Sequence, residues 1–280
     1  MSHLQIREMP AGGWAGLFEG VHWHQRWEVV PGVFTPGGNS VSDILGAVSL
    51  PGRLDGLRVL DVGAWNGCFS FECERRGAAD VVAYSLEHPE ESGFARLKSF
   101  LGSKVRYVQG SVYDLDPCRL GKFDLILFFG VFYHLRYPLL AVDRLRTVSA
   151  GPVLVETHVL PDKLFLRGSR SWLGRLMRFS HVFSRTPIWR QYAPFELHPE
   201  DRSNWFGPNI QAVIESFESG GFVTRHLCSW ADRAAFKATP SLELLDRLQN
   251  GTYEGLAQHQ IGVGLTARDP GSMFRPTGAV

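Results

Sequence analysis

Between residues 58 and 157 the chain alternates short apolar runs with helical segments, which restricts it to a parallel sheet joined by crossover connections. The runs are Arg58–Val62, Asp80–Leu86, Val105–Gln109, Phe123–Phe129 and Pro152–Thr157, and the helices among them are Cys68–Arg76, Glu90–Leu101 and Pro138–Val148. Leu125–Phe129 contains no polar residue, as a strand buried on both faces requires. Regular texture returns with a helix at Ile210–Ser219, closed by Gly220-Gly221, and a strand at Phe222–Cys228. Residues 229–259 read as helical and outside the sheet, and Gln260–Ala267 as the last strand. The spacing predicts a seven-stranded, mostly parallel α/β sheet. Around it are an N-terminal cap over 1–50, a core over 51–158, an inserted lid over 159–207, a return to the core over 208–268 and a tail over 269–280.

Composition narrows the function classes. Lys and Arg number 29 against 28 Asp and Glu, so the net charge of +1 argues against a broad nucleic-acid surface, although a local basic patch remains open. A hydrophobic fraction of 44% in 280 residues is enough for a core without cross-links. Cys68, Cys73, Cys118 and Cys228 form no C-x-x-C pair, and His22-x-His24 has no accompanying carboxylate motif, so no metal site is expected. The cysteines read as reduced thiols of a cytoplasmic protein. The longest apolar run, Leu125–Tyr133 with Gly130 inside it, is too short to span a bilayer.

The stretch that carries chemistry is Val59-Leu60-Asp61-Val62-Gly63-Ala64-Trp65-Asn66-Gly67. An apolar strand runs into an acidic residue and a glycine-punctuated turn, then into a helix. Glycines let backbone approach a ligand, and a helix N-terminus offers free amides. A dinucleotide fingerprint needs G-x-G-x-x-G, whereas here Trp65 stands between Gly63 and Gly67, so a pyrophosphate site is disfavoured. Asp61 at the strand end attracts a cation instead. A cofactor with an ammonium, a sulfonium and no phosphate fits: S-adenosyl-L-methionine (SAM).

These residues resemble motif I of the class I SAM-dependent methyltransferases, with their Rossmann-like sheet. LDVGAWNGCFSFECERRGAADVVAY (60–84), FDLILFFGVFYHLRYP (123–138), GPVLVETH (151–158) and NWFGPNIQAVIESFESGGF (204–222) resemble in order the segments of the subgroup related to the tRNA wobble-uridine carboxymethyltransferase. HWHQRWEVVPGVFTPG (22–37) resembles an N-terminal segment of small-molecule relatives. The resemblance implies a cofactor site at Asp61, Gly63, Ala64, Trp65, Asn66 and Gly67, with backbone contacts from Phe129 and Gly130. It puts Ser85 where relatives carry an acidic ribose ligand, and Ser111, with Val112, where they often carry an Asp near the adenine. Glu87 is a second candidate for the ribose and is favoured because a carboxylate accepts two hydroxyl protons at once. Tyr133 and His134 fall in the loop that faces the methyl acceptor. Relatives that use carboxy-SAM also carry a Tyr at the position of Tyr133, so it does not choose between the cofactors. His134, His158 and His24 are the candidate bases, with His22 beside His24.

The expected reaction is methyl transfer to an O or N atom of a small molecule. Carboxymethyl transfer from carboxy-SAM to tRNA is an alternative, as is a catalytically silent binding protein, which the substitutions Trp65, Ser85 and Ser111 would suit. From Lys163 to Phe195 the chain carries Lys163, Arg167, Arg170, Arg175, Arg178, Arg185 and Arg190 and no acidic residue, with Trp172, Leu176, Phe179 and Phe183 on one helical face. Such a lid would cover the acceptor and suit an anionic group on it.

Overall fold

A computed structural model describes residues 12–160 and 185–245. Its central sheet has strands β1 (Arg58–Val62), β2 (Asp80–Ser85), β3 (Arg106–Gln109), β4 (Leu125–Phe129), β5 (Val153–His158), β6 (Phe222–Trp230) and β7 (Arg233–Pro240). Their order is β6-β7-β5-β4-β1-β2-β3, seven strands in one sheet. β7 runs antiparallel to both β5 and β6, and the other pairings are parallel. Helices among the described residues include α1 (Gly13–Phe18), α2 (Val41–Ala47), α3 (Cys68–Arg75), α4 (Phe94–Leu101), α5 (Pro117–Leu120), α6 (Pro138–Val148) and α7 (Ile210–Ser219).

The period of two along β4 explains why the sheet is covered on both sides. Leu125, Leu127 and Phe129 join a core with residues of α3 and α4, whereas Ile126 and Phe128 join a core with residues of α6 and α7. Local chemistry sets the helix ends. Pro138 occupies the first turn of α6, where its missing amide proton costs nothing. The Asn209 side chain accepts from the Ala212 amide at 2.9 Å and starts α7. α4 begins at Phe94 rather than Glu90, because Gly93 takes a left-handed conformation (φ 77°) and admits the helix only after itself.

Residues 12–50 pack on the α3–α4 side. Leu17, Trp23, Trp27 and Val29 are buried there, and the Trp27 indole donates to Glu72 of α3 at 3.0 Å.

One prediction fails. Arg233–Pro240 was expected to be helical and outside the sheet; it is strand β7, inserted between β5 and β6. Its alanines favour helix locally, but Ala234 and Ala235 face opposite cores, and pairing along two neighbours overrides the propensity. The described residues supply seven strands; Gln260–Ala267 lies outside them, as does the predicted Trp172–Phe183 face. The described part of the insert, 185–207, runs into an antiparallel ribbon of Trp189–Gln191 with Phe206–Pro208. Arg190 there meets an acid of its own segment, Glu196, at 2.5 Å. No described helix is long and apolar enough to cross a membrane.

Candidate active site

The strand order reverses between β1 and β4, the place where an open parallel sheet leaves a crevice at its carboxyl edge. Asp61 lies near the end of β1 and is 2% exposed. The Ser70 hydroxyl of α3 donates to it at 2.6 Å. Burial pushes the Asp61 pKa up to about 6, against the opposing pull of Ser70.

The turn that follows is shaped by close contacts. Gly63 has φ 80°, and a Cβ there would stand 2.3 Å from Val131. Gly67 has φ 81° and caps α3 against the Phe94 and Phe71 rings. The Gly63 amide donates to the Tyr84 carbonyl at 2.7 Å, and that of Ala64 to the same oxygen at 3.3 Å. Trp65 adopts φ 48°, a region costly for a bulky residue. Its amide donates to Ser85 Oγ at 3.3 Å and its indole to the His22 carbonyl at 3.1 Å. The buried Asn66 amide group donates to that same carbonyl and to that of Ser92, while its Oδ1 has no hydrogen-bond partner among the described residues.

Ser85 and Glu87, the two ribose candidates, meet each other: the Ser85 hydroxyl donates to Glu87 Oε2. The loop bearing Glu87 is pinned from β3, by Tyr107 Oη on the Glu87 carbonyl at 2.8 Å and by Gln109 on the Leu86 carbonyl at 2.9 Å. Ser111 caps the short turn Val112–Asp114 by accepting from the Tyr113 amide, and Val112 is buried. Phe129 packs edge-on against Phe69. Gly130 (φ 70°) donates to the Glu156 carbonyl at 2.9 Å.

Three candidate bases differ in their surroundings. His24 contacts Trp65 edge-on at 4.9 Å and lies 3.3 Å from His22, ring nitrogen to ring nitrogen. Partial desolvation and the neighbouring His22 and His134 lower its pKa. His134 stacks on Tyr133 at 4.1 Å, and its Nδ1 faces Ser203 Oγ at 2.9 Å. Burial lowers its pKa, against the nearby Asp201. His158, at the end of β5, has both nitrogens engaged, Nδ1 with Asp232 at 3.1 Å and Nε2 with Tyr192 Oη at 2.9 Å.

Sequence reasoning missed the ion pair behind Tyr133. Arg233 grips Glu156 with Nε and Nη2, the latter at 2.6 Å, and donates from Nη1 to Tyr133 Oη at 3.2 Å. Burial opposes the Arg233 charge, and Glu156 more than offsets it, so its pKa is raised. An acid within the apolar strand VLVETH was the available signal, since a buried charge needs a partner. Nothing in the sequence pointed to Asp201, Ser203 or Asp232, which tertiary contacts bring to the site; Tyr192 stood out only as one of the aromatics of the insert.

Strand order, glycine turn and buried acid define a Rossmann-like methyltransferase sheet. The family model described as Methyltransferase domain matches residues 40–200, more than half of the chain. The chain belongs to that methyltransferase-domain family. The N-terminal domain of EvdMO1, crystallised in the presence of SAH and D-fucose, has the same fold, with a TM-score of 0.54 at 18% identity over 80% of this chain and 90% of that one. The tRNA U34 carboxymethyltransferase of Ectopseudomonas mendocina is 29% identical over 171 residues, 60% of this chain and 46% of that protein. The tRNA U34 carboxymethyltransferase of Desulforapulum autotrophicum is 26% identical over 117 residues, 40% of this chain and 36% of that protein. The chain thus spans between a third and a half of the length of these curated relatives.

Proposed function

We propose that the chain is a SAM-dependent methyltransferase acting on a small-molecule acceptor. The observation that carries this reading is the buried Asp61 carboxyl beside the left-handed Gly63 turn at the reversal of strand order. The available groups suit the cofactor: Asp61 for the ammonium, Glu87 backed by Ser85 for the ribose hydroxyls, and Val112 for the adenine face. SAM supplies a methyl group already activated on sulfonium, so the protein's contribution is alignment, exclusion of water and, for a hydroxyl acceptor, a base. His134 suits the base, because no described residue hydrogen-bonds its Nε2, whereas both His158 nitrogens are occupied.

The names of the relatives favour a second reading, carboxymethyl transfer to tRNA. That reaction needs a cation for the extra carboxylate. The charge of Arg233, beside Tyr133, is already paired with Glu156, which supports the methyl reading.

Calorimetry with SAM and S-adenosylhomocysteine tests the proposal: binding of both supports it, and binding of neither points to a silent fold. Glu87→Ala is expected to weaken SAM by about 1–3 kcal/mol, the value of hydrogen bonds to a charged acceptor. Ser85→Ala should cost less, since it leaves the carboxylate in place; a larger loss from Ser85→Ala would transfer the ribose role to the serine. His134→Ala is expected to cut turnover about 100-fold or more while SAM affinity stays within about twofold. Unchanged turnover would remove His134 as base.

A further inference from the structure

His134 meets the segment 201–205, which lies along its turn. The Trp205 amide donates to the Tyr133 carbonyl at 2.9 Å, and the Asn204 side chain donates to the Asp201 carbonyl at 3.2 Å. Within that segment the Ser203 amide and hydroxyl both donate to Asp201 Oδ1, at 2.7 and 2.5 Å. His134 Nδ1 then faces two oxygens of Ser203, the carbonyl at 3.3 Å and the hydroxyl at 2.9 Å. The carbonyl can only accept, and the hydroxyl proton is committed to Asp201. Among the described residues two acceptors and no donor stand before Nδ1, which therefore carries the proton. Asp201 Oδ2, 3.7 Å from the same nitrogen, places a negative charge behind it. Burial works against that charge, and the Ser203 hydroxyl and amide outweigh it, holding the Asp201 pKa low.

We infer that Asp201 and Ser203 are positioning residues that fix His134 in its Nδ1–H tautomer and leave Nε2 as the proton acceptor for a hydroxyl-bearing methyl acceptor. The catalytic part of this inference rests on the methyltransferase reading above; the tautomer does not. The proton leaves the hydroxyl for Nε2, and its bonding pair stays on the oxygen that takes the methyl group. The pair of the broken carbon–sulfur bond stays on sulfur. The imidazolium that results is stabilised by Asp201 through Ser203. His158 shows why the arrangement matters. Asp232 sets it in the same tautomer, but the Tyr192 phenol occupies its Nε2. One histidine presents a lone pair and the other has spent it, and Tyr192 and Ser203 both come from the segment 185–207.

The test reads imidazole nitrogen-15 shifts of the full chain at a pH where the rings are neutral. The charged and titratable groups around His134 are Asp201, Arg233, His198 and Tyr133, with His24 opposite, so resonances are assigned with His134→Gln and each titration is followed ring by ring. In the wild type, His134 Nδ1 should give a protonated-type shift and Nε2 an unprotonated one. Asp201→Ala removes the acceptor, frees the Ser203 hydroxyl to donate to Nδ1, and should shift the His134 tautomer ratio about tenfold toward Nε2–H. Ser203→Ala should shift it in the same direction, and His158 should not change in either variant. A wild-type His134 with an unprotonated Nδ1 overturns the inference, as does an unchanged ratio in both variants. Calorimetry with SAM on the same samples separates the two claims. Absence of SAM binding to a wild type that shows the expected tautomer overturns the methyltransferase reading and the catalytic part of this inference, while supporting the positioning of His134 by Ser203 and Asp201.

Discussion

Asp61→Asn is expected to remove SAM binding and, at pH 7, to make the ligand-free protein more stable. Both effects follow from one buried carboxyl. Its folded-state pKa of about 6 lies above its ordinary value of 3.8, so the fold holds the proton more tightly than the unfolded chain does. The stabilisation from that proton is complete below 3.8 and is lost as pH rises through about 6. At pH 7 the ionised group opposes folding by on the order of 3 kcal/mol. Asparagine keeps the shape and the Ser70 contact without the charge, and should recover about 1–3 kcal/mol in urea unfolding at pH 7. The difference should vanish near pH 4, where Asp61 is itself protonated.

The ligand reverses the sign. An ammonium beside the ionised carboxyl compensates its burial, and removing one member of such a pair costs about 3–5 kcal/mol. SAM affinity should therefore fall more than about 100-fold in Asp61→Asn. In the wild type it should be flat between pH 6 and about pH 7.5, where the α-amino group of SAM stays protonated, and drop about tenfold per pH unit below pH 6, because binding must then expel a proton. A variant that retains wild-type affinity would displace the cofactor site from Asp61, and one that loses stability at pH 7 would show that burial does not raise the Asp61 pKa.

Arg233→Ala is expected to destabilise the fold by about 3–5 kcal/mol, since it leaves the Glu156 carboxyl, 2% exposed, without its counter-ion. The Tyr133 hydroxyl loses its donor and its ring loses the guanidinium that lies 5.1 Å above it. Arg233→Lys should recover little, because an ammonium cannot make the two parallel contacts. The double variant Glu156→Gln with Arg233→Met should recover most of the loss, because the uncompensated charge disappears. Urea unfolding reads all three. A loss below about 1 kcal/mol in Arg233→Ala would show that solvent, rather than Arg233, compensates Glu156.

Most of the sheet and the glycine turn were legible in the sequence. Five apolar runs and their intervening helices carry local periodicities that survive folding, and β4 announces its double burial by having no polar residue. Asp61, Gly63 and Gly67 were legible because a strand end, a sharp turn and a helix start follow one another within a few residues. The seventh strand was not. Arg233–Pro240 alternates small residues between two cores, and its strand character comes from pairing with β5 and β6, neither of which adjoins it in a local pattern except through the turn at Ala231-Asp232.

The same limit separates the histidines. The sequence resemblance puts His134 in the loop after β4 and His158 at the end of β5, and does not rank them. Their difference lies in which residues meet each ring: Ser203 and Asp201 at one, Asp232 and Tyr192 at the other, all 34 to 74 positions away along the chain. Local sequence determined where the crevice lies, because turn and strand chemistry act between neighbours. The tertiary structure alone decided which proton each imidazole carries and which buried acid finds a counter-ion, because hydrogen bonds and charges act through space.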